Sequence, residues 1–313
     1  MLLPCRAAPS LETIQDALVT AVLPDGDWAF LRSLPPVRPG WFLGDPALVY
    51  RWVPPFDGAS PVTHPPVTVV IDAPARPLPV KADADDLQAA YALGAFGPGA
   101  QPGCLVRAAM STPEWPGAAD VPADHQAFVR VRLSYALGGG GVANPPGRSR
   151  DLELALLTAL ALPLMELSEV LGWFHAPGER LLSRAGVRRA LVHAREDGRV
   201  PVELWTHLRA RELGDPDGWV LYDTVGMATL GARDLELAAR SEQLSTTDAA
   251  VFLRNLSLYT LGESDPFKSG HTAESPVGRI RARVLPRGML PPARRVVRWA
   301  PIGGRPLPPV LQS

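Results

Sequence analysis

The chain has 313 residues, 46% hydrophobic and 20% charged, enough for one large domain or two ordinary ones around sizeable cores. Its formal net charge of -1 gives no electrostatic footprint for nucleic acid or an anionic membrane surface, so neither is expected as a partner. Only Cys5 and Cys104 are present, which excludes a disulfide framework and argues against a thiolate metal site; no cofactor is expected.

The basic side is almost all arginine, with lysine only at Lys81 and Lys268; together with 35 prolines this points to a GC-rich bacterial genome. The start, Met1 to Thr13, does not read as a signal peptide. The longest apolar-rich run, Leu152 to Leu164, is short for a bilayer and is interrupted by Glu153, Thr158 and Pro163. A cytoplasmic protein with reduced thiols is therefore expected.

In chain order, Ser10 caps an expected helix carrying Ile14, Ala17, Leu18 and Ala21 at helical spacing. Trp28 to Leu31 reads as a strand. Pro35 to Pro66 is dense in Pro and Gly, which suits irregular segments and edge strands, with short apolar pieces such as Ala47 to Val53. Val67 to Ile71 reads as a buried strand, and Asp83 as the cap of a helix holding Leu87, Ala90 and Tyr91. Gly103 to Met110 and Gln126 to Leu137 read as strands, followed by a loop rich in Gly at 138–141. Ser149 caps a helix from Arg150 to about Pro163. Val170 to His175 is an expected strand and Leu181 to Glu196 a helix ended by Gly198.

Two strands forming a hairpin come next. Val202, Leu204, Thr206 and Leu208 alternate with Glu203, Trp205, His207 and Arg209, and Trp219 to Tyr222 is a short apolar run. The loop Gly214-Asp215-Pro216-Asp217-Gly218 joins them. Gly226 and Gly231 permit backbone dihedrals closed to other residues, or a close chain contact, and Asp234 to Leu237 alternates as a third strand. A helix from Ser245 or Thr246 to Gly262 buries Ala249, Phe252, Leu253, Leu256 and Tyr259. Gly278 to Leu285 and Arg294 to Trp299 are late strands, the first with Arg279, Arg281 and Arg283 on an exposed face.

This order predicts an α+β fold, with a mainly antiparallel sheet and helices packed on one face. The expected division is a Pro-rich α/β subdomain over roughly residues 1–100, a C-terminal α+β domain over 101–302 and a loose tail over 303–313. The first hundred residues read either as a partial repeat of the later unit, giving two related α/β subdomains, or as an addition to it.

Val202-Glu203-Leu204-Trp205, Asp223-Thr224-Val225-Gly226-Met227, Leu230-Gly231 and Asp234-Leu235-Glu236 are similar to the pattern of the bacterial domain-of-unknown-function family 4261. Phe252-Leu253-Arg254-Asn255-Leu256 and Gly270-His271-Thr272 fit its following helix and turn. The resemblance covers roughly Asp151 to Leu285. It implies a cytosolic bacterial protein and supplies no catalytic residue, cofactor or ligand.

The candidate chemistry is sparse. Asp223 and Thr224 are the first polar pair to watch, with turn capping as the ordinary reading. His271 with Glu274 resembles a metal pair or a base with its orienting carboxylate, but the local sequence reads as a loop. His175 with Glu179 is similarly placed, and His125, His193 and His207 stand alone. Cys104 with His125 as base would be a nucleophile pair, against the ordinary reading of a buried thiol. The expected function is a non-enzymatic, protein-binding or accessory module, with an immunity-like role as one form. The alternative is a small-molecule hydrolase or transferase with a pocket near Asp223, Thr224 and His271.

Overall fold

The structure is a computed structural model and describes residues 1–34, 46–54, 65–136, 145–263, 266–303 and 305–312. The expected glycine loop at 138–141 lies outside them. Two compact units divide the chain, Met1–Val200 and Pro201–Ser313. The fold is α+β, with one mainly antiparallel sheet in each unit.

The first unit holds strands β1 (Leu2–Cys5), β2 (Asp27–Leu34), β3 (Ala47–Val53), β4 (Val67–Asp72), β5 (Ala127–Ser134), β6 (Trp173–His175) and β7 (Arg180–Leu182). Its helices are α1 (Leu11–Leu18), α2 (Asp85–Ala92), α3 (Cys104–Met110), α4 (Val121–Asp124), α5 (Arg150–Leu164) and α6 (Arg184–Glu196). The spatial order is β2-β3-β4-β5-β1-β6-β7. Ser10 and Ser149 cap as expected, accepting backbone N–H from Thr13 and Leu152, and Ser183, inside the expected helix, caps α6 by accepting from Gly186; α2 follows Ala84 with no side-chain cap, so Asp83 does not cap it. Phe128, Phe174, Leu181 and Leu2 from the sheet pack with Leu87, Tyr91, Phe96, Leu105 and Ala108. Within this sheet Asp72 and Arg130, paired across β4 and β5, form a buried two-pronged ion pair, Nε to Oδ1 at 2.9 Å and Nη2 to Oδ2 at 2.6 Å.

The second unit holds α7 (Val202–Trp205), β8 (His207–Glu212), β9 (Trp219–Val225), β10 (Asp234–Arg240), α8 (Thr246–Gly262), β11 (Thr272–Ser275), β12 (Gly278–Leu285), β13 (Val296–Pro301) and α9 (Pro309–Gln312). The order is β11-β12-β13-β10-β9-β8, antiparallel except that β10 and β13 run parallel. Ser245 caps α8 by accepting from Asp248 N–H. One face of the sheet, with Val220, Tyr222, Leu235, Leu237, Ile280, Val297 and Trp299, packs on Ala249 and Leu253 of α8.

The expected boundary near residue 100 falls inside the first unit. Strands from both sides of it share one sheet: β5 lies between β4 and β1, and β1 lies beside β6. Gly103 to Met110 is a helix, not a strand, because its buried residues Cys104, Leu105, Ala108 and Ala109 recur at helical spacing. Val202 to Trp205 is one helical turn after Pro201, so Leu204 and Trp205 are both buried, and the strand begins only at His207. Leu2 to Cys5, read only as a chain start, is an interior strand with all four residues buried. The tail expected to be loose carries Leu311, which is 1% exposed.

Gly226 closes β9 at φ +115°, ahead of a one-turn 3-10 helix at Met227–Leu230. A β-branched residue is strained there. Gly226→Val is expected to cost about 1–3 kcal/mol in denaturant unfolding; an unchanged midpoint would contradict this account.

Candidate functional site: a row of charge across the second sheet

Asp223 is fully buried in β9 and is not a turn cap. Its strand is buried along its whole length, so the pleat turns this carboxylate into protein on one face, and a buried carboxylate must be paired. Arg209, opposite it on β8, donates Nε to Oδ1 at 3.0 Å and Nη2 to Oδ2 at 2.6 Å. Arg294, in the segment before β13, donates Nη2 to the same Oδ2.

Register extends this pair into a row. Arg209 lies opposite Asp223, Asp223 opposite Glu236 on β10, Glu236 beside Arg298 on β13, and Arg298 opposite Arg283 on β12. Arg298 donates Nε to Glu236 Oε2 at 2.7 Å, and Met289 N–H donates to Oε1 at 2.8 Å. A Cβ on Gly288 would meet that Oε1 at 2.8 Å, so this glycine leaves room for the carboxylate. The row also holds the chain at 286–295: Arg209 donates to Pro291 O, while Arg294 ties back to Leu290 O and Pro292 O and reaches Thr224 O.

Thr224 is buried and bridges β9 to β10. Its hydroxyl donates to Asp234 Oδ1 at 3.1 Å and accepts Leu235 N–H at 2.8 Å. Asp234 also accepts Met227 N–H at 3.1 Å, and its Oδ2 lies 3.3 Å from Arg294 Nε. Two effects oppose each other here. Burial raises the carboxyl, and Arg294, the Met227 N–H and the Thr224 hydroxyl lower it. Burial wins, with the charge of neighbouring Asp223 adding to it; the group is pushed up to about 6.

His271 and Glu274 are elsewhere. Both are exposed, His271 just before β11 and Glu274 on it. Strand β11 is the far edge of the sheet, four strand spacings from β9, or roughly 19 Å at ~4.8 Å per spacing. The structure brings Asp223 and Thr224 together with Asp234, Arg209 and Arg294, and does not bring them together with His271. A depression of about 270 Å³ lies on the sheet beside the start of α8, lined by Ala210, Glu212, Tyr222, Leu244 and Thr246 among others; it contains neither Asp223 nor His271.

Of the other sequence candidates, His125 and Glu179 have structural partners. His125 accepts Leu78 N–H at Nε2 at 2.9 Å, and Nδ1 faces the carbonyls of Val121 and Pro122, with burial pushing its pKa down. Burial pushes the Cys104 thiol up to about 12, opposite to what an activated nucleophile needs. Glu179 sits at φ +47° in the β6–β7 turn, its carboxylate taken by Arg107 at 2.8 and 2.5 Å. Among the described residues, no group of three or more His, Cys, Asp or Glu side chains lies close enough to hold a metal ion. None of their helices is long and apolar enough to cross a membrane.

Sequence patterns alone give Glu236, Arg294 and Arg298 no role. For Glu236 and Arg298 the signal is a charge inside an otherwise largely apolar strand, which only pairing makes tolerable; Arg294, in the segment before β13, carries no such signal.

Residues 223–300 match the profile of a domain of unknown function, DUF4261. The match covers about a quarter of the chain, starts after the first quoted motif, Val202 to Trp205, and runs into β13. It begins at Asp223 and contains Asp234, Glu236, Arg294 and Arg298, so most of the charge row lies inside it. No curated protein and no solved structure matches the chain.

Two outcomes test the row. Asp223→Asn leaves Arg209 and Arg294, about one-tenth exposed, facing an uncharged group, and should cost about 3–5 kcal/mol; a loss below 1 kcal/mol would show the row to be incidental. Asp234 binds its proton more tightly folded than unfolded, so wild type gains stability as pH falls from about 6 towards the ordinary carboxylate value of 3.8. Asp234→Asn cannot take up that proton. Wild type minus variant stability should therefore rise on the order of 2–3 kcal/mol between pH 7 and pH 4, and a difference flat with pH would refute the assignment.

Proposed function

We propose that the chain is a non-enzymatic accessory protein of the bacterial cytosol that binds another protein. The observation that carries the reading is strand β2. It is the edge of the seven-stranded sheet and runs for eight residues. Phe30 is 46% exposed and Leu31 is 51% exposed. Two large apolar side chains are therefore exposed side by side on this edge. The register with β3 shifts between Phe30 and Arg32, and a bulge of this kind re-aims side chains at a sheet edge. Tyr50 fixes the aromatic part: Trp28 stacks on it at 4.7 Å and Phe30 meets it edge-on at 5.3 Å.

A long edge strand with large apolar side chains is a template for another chain, and rigid aromatics supply contact area at low entropic cost. The cytosolic part of the reading is supported by Cys5 and Cys104, which are unpaired and buried. An immunity-like role is one form such an accessory protein could take.

The test is affinity capture from native cells with wild type and with the double variant Phe30→Asp, Leu31→Asp. A protein recovered reproducibly by wild type and lost from the folded variant is the expected result. Equal recovery from both, or a small molecule retained through purification with no partner protein, would overturn the reading in favour of a hydrolase or transferase.

A further inference from the structure

The segment 305–312 lies on the face of the second sheet opposite α8, and the way it is held is that of a bound peptide. Arg305 at its start pairs with Asp217 of the loop before β9, and two further sets of contacts hold the rest. Leu311 is buried, and with Leu307 it packs against Trp219, Leu221, Ala238, Met289 and Leu290. Two arginines of the charge row then donate to its main chain, Arg298 Nη1 to Leu311 O at 3.0 Å and Arg283 Nη1 to Gln312 O at 2.6 Å. Backbone carbonyls are the same in every peptide, so these bonds give affinity without reading sequence, and the leucine cup supplies the selection.

One donor of the groove is held by groups outside the segment. Glu236 holds Arg298, and Met289 N–H with the space over Gly288 holds Glu236, so the donor facing Leu311 O is oriented by other parts of the unit. The segment is built for cheap docking. Pro306, Pro308 and Pro309 restrict it before it binds, and Gln312 Nε2 closes it on its own Leu307 O at 2.6 Å.

We propose that this groove is a peptide-binding site that the chain's own residues 305–312 fill in cis, and that its partner is a proline-rich segment carrying a leucine for the cup, which displaces them. The site is separate from β2 and stands whether or not that edge binds a protein.

The test uses the full chain and a fluorescent synthetic peptide spanning residues 303–313, read by anisotropy. Leu311→Asp in the chain empties the cup, and Leu311→Ala is the milder form. A tethered segment competes at roughly millimolar effective concentration, so the peptide is expected to bind either variant at least about tenfold more tightly than wild type. A peptide carrying the same Leu311→Asp change should not bind. Equal affinity for wild type and variants, or no binding to variants that retain a cooperative melt, would overturn the proposal. Loss of the folded state in both variants would overturn it too, by showing the segment to be a fixed part of the core.

Discussion

The second unit is organised by the cost of burying charge. Asp223, Glu236 and Asp234 lie in strands whose other residues, Arg240 at the end of β10 aside, are apolar or buried. An unpaired carboxylate there would be prohibitive, and a pair formed with one partner missing leaves the remaining charge exposed to the same penalty. The sheet meets this with arginines from three other places in the chain, β8, β13 and the segment before β13. Strand order, strand register and the course of residues 286–295 are thereby tied to one another: shift any strand by one residue and a charge turns to the wrong face.

The first unit uses the same device in smaller form. Arg130 meets Asp72 with two prongs across neighbouring strands, and Arg132 adds Nη2 to the same Oδ2 at 2.9 Å. Arg107 closes on Glu179 in the β6–β7 turn. Lysine could not replace these groups, because a planar fork fits both oxygens of a carboxylate and an ammonium does not. The near-absence of lysine first reads as codon supply. In the structure the arginines at these positions also have a geometric task.

Much of the local structure is legible in sequence. Serines before helical periodicity mark the starts of α1, α5 and α8, and Trp219 to Tyr222 and Asp234 to Leu237 are strands as their patterns indicate. What is not legible depends on distance along the chain. Asp223 stands out by itself, but Arg294 lies 71 residues away, and only the parallel pairing of β10 with β13 brings that part of the chain beside it. Short pieces mislead for a different reason. Val202 to Trp205 alternates like a strand, but a single turn of helix after Pro201 buries Leu204 and Trp205 together. His271 and Glu274 have the spacing of a helical pair, yet Glu274 belongs to an exposed edge strand, where that spacing brings nothing together.

The parallel pairing of β10 with β13 also fixes when the unit can be completed. Glu236 and its partner Arg298 are 62 residues apart, with α8, β11 and β12 between them. Closing a stretch of that length is entropically costly before any contact repays it, and such pairings form late. During synthesis β8, β9 and β10 leave the ribosome well before β13, and until then Glu236 and Asp234 are charges without their arginines. The order of emergence therefore keeps the middle of this sheet charged and open to water until its last strand arrives. A half-made chain thus meets its neighbours with a carboxylate-bearing edge where a finished one has a buried row.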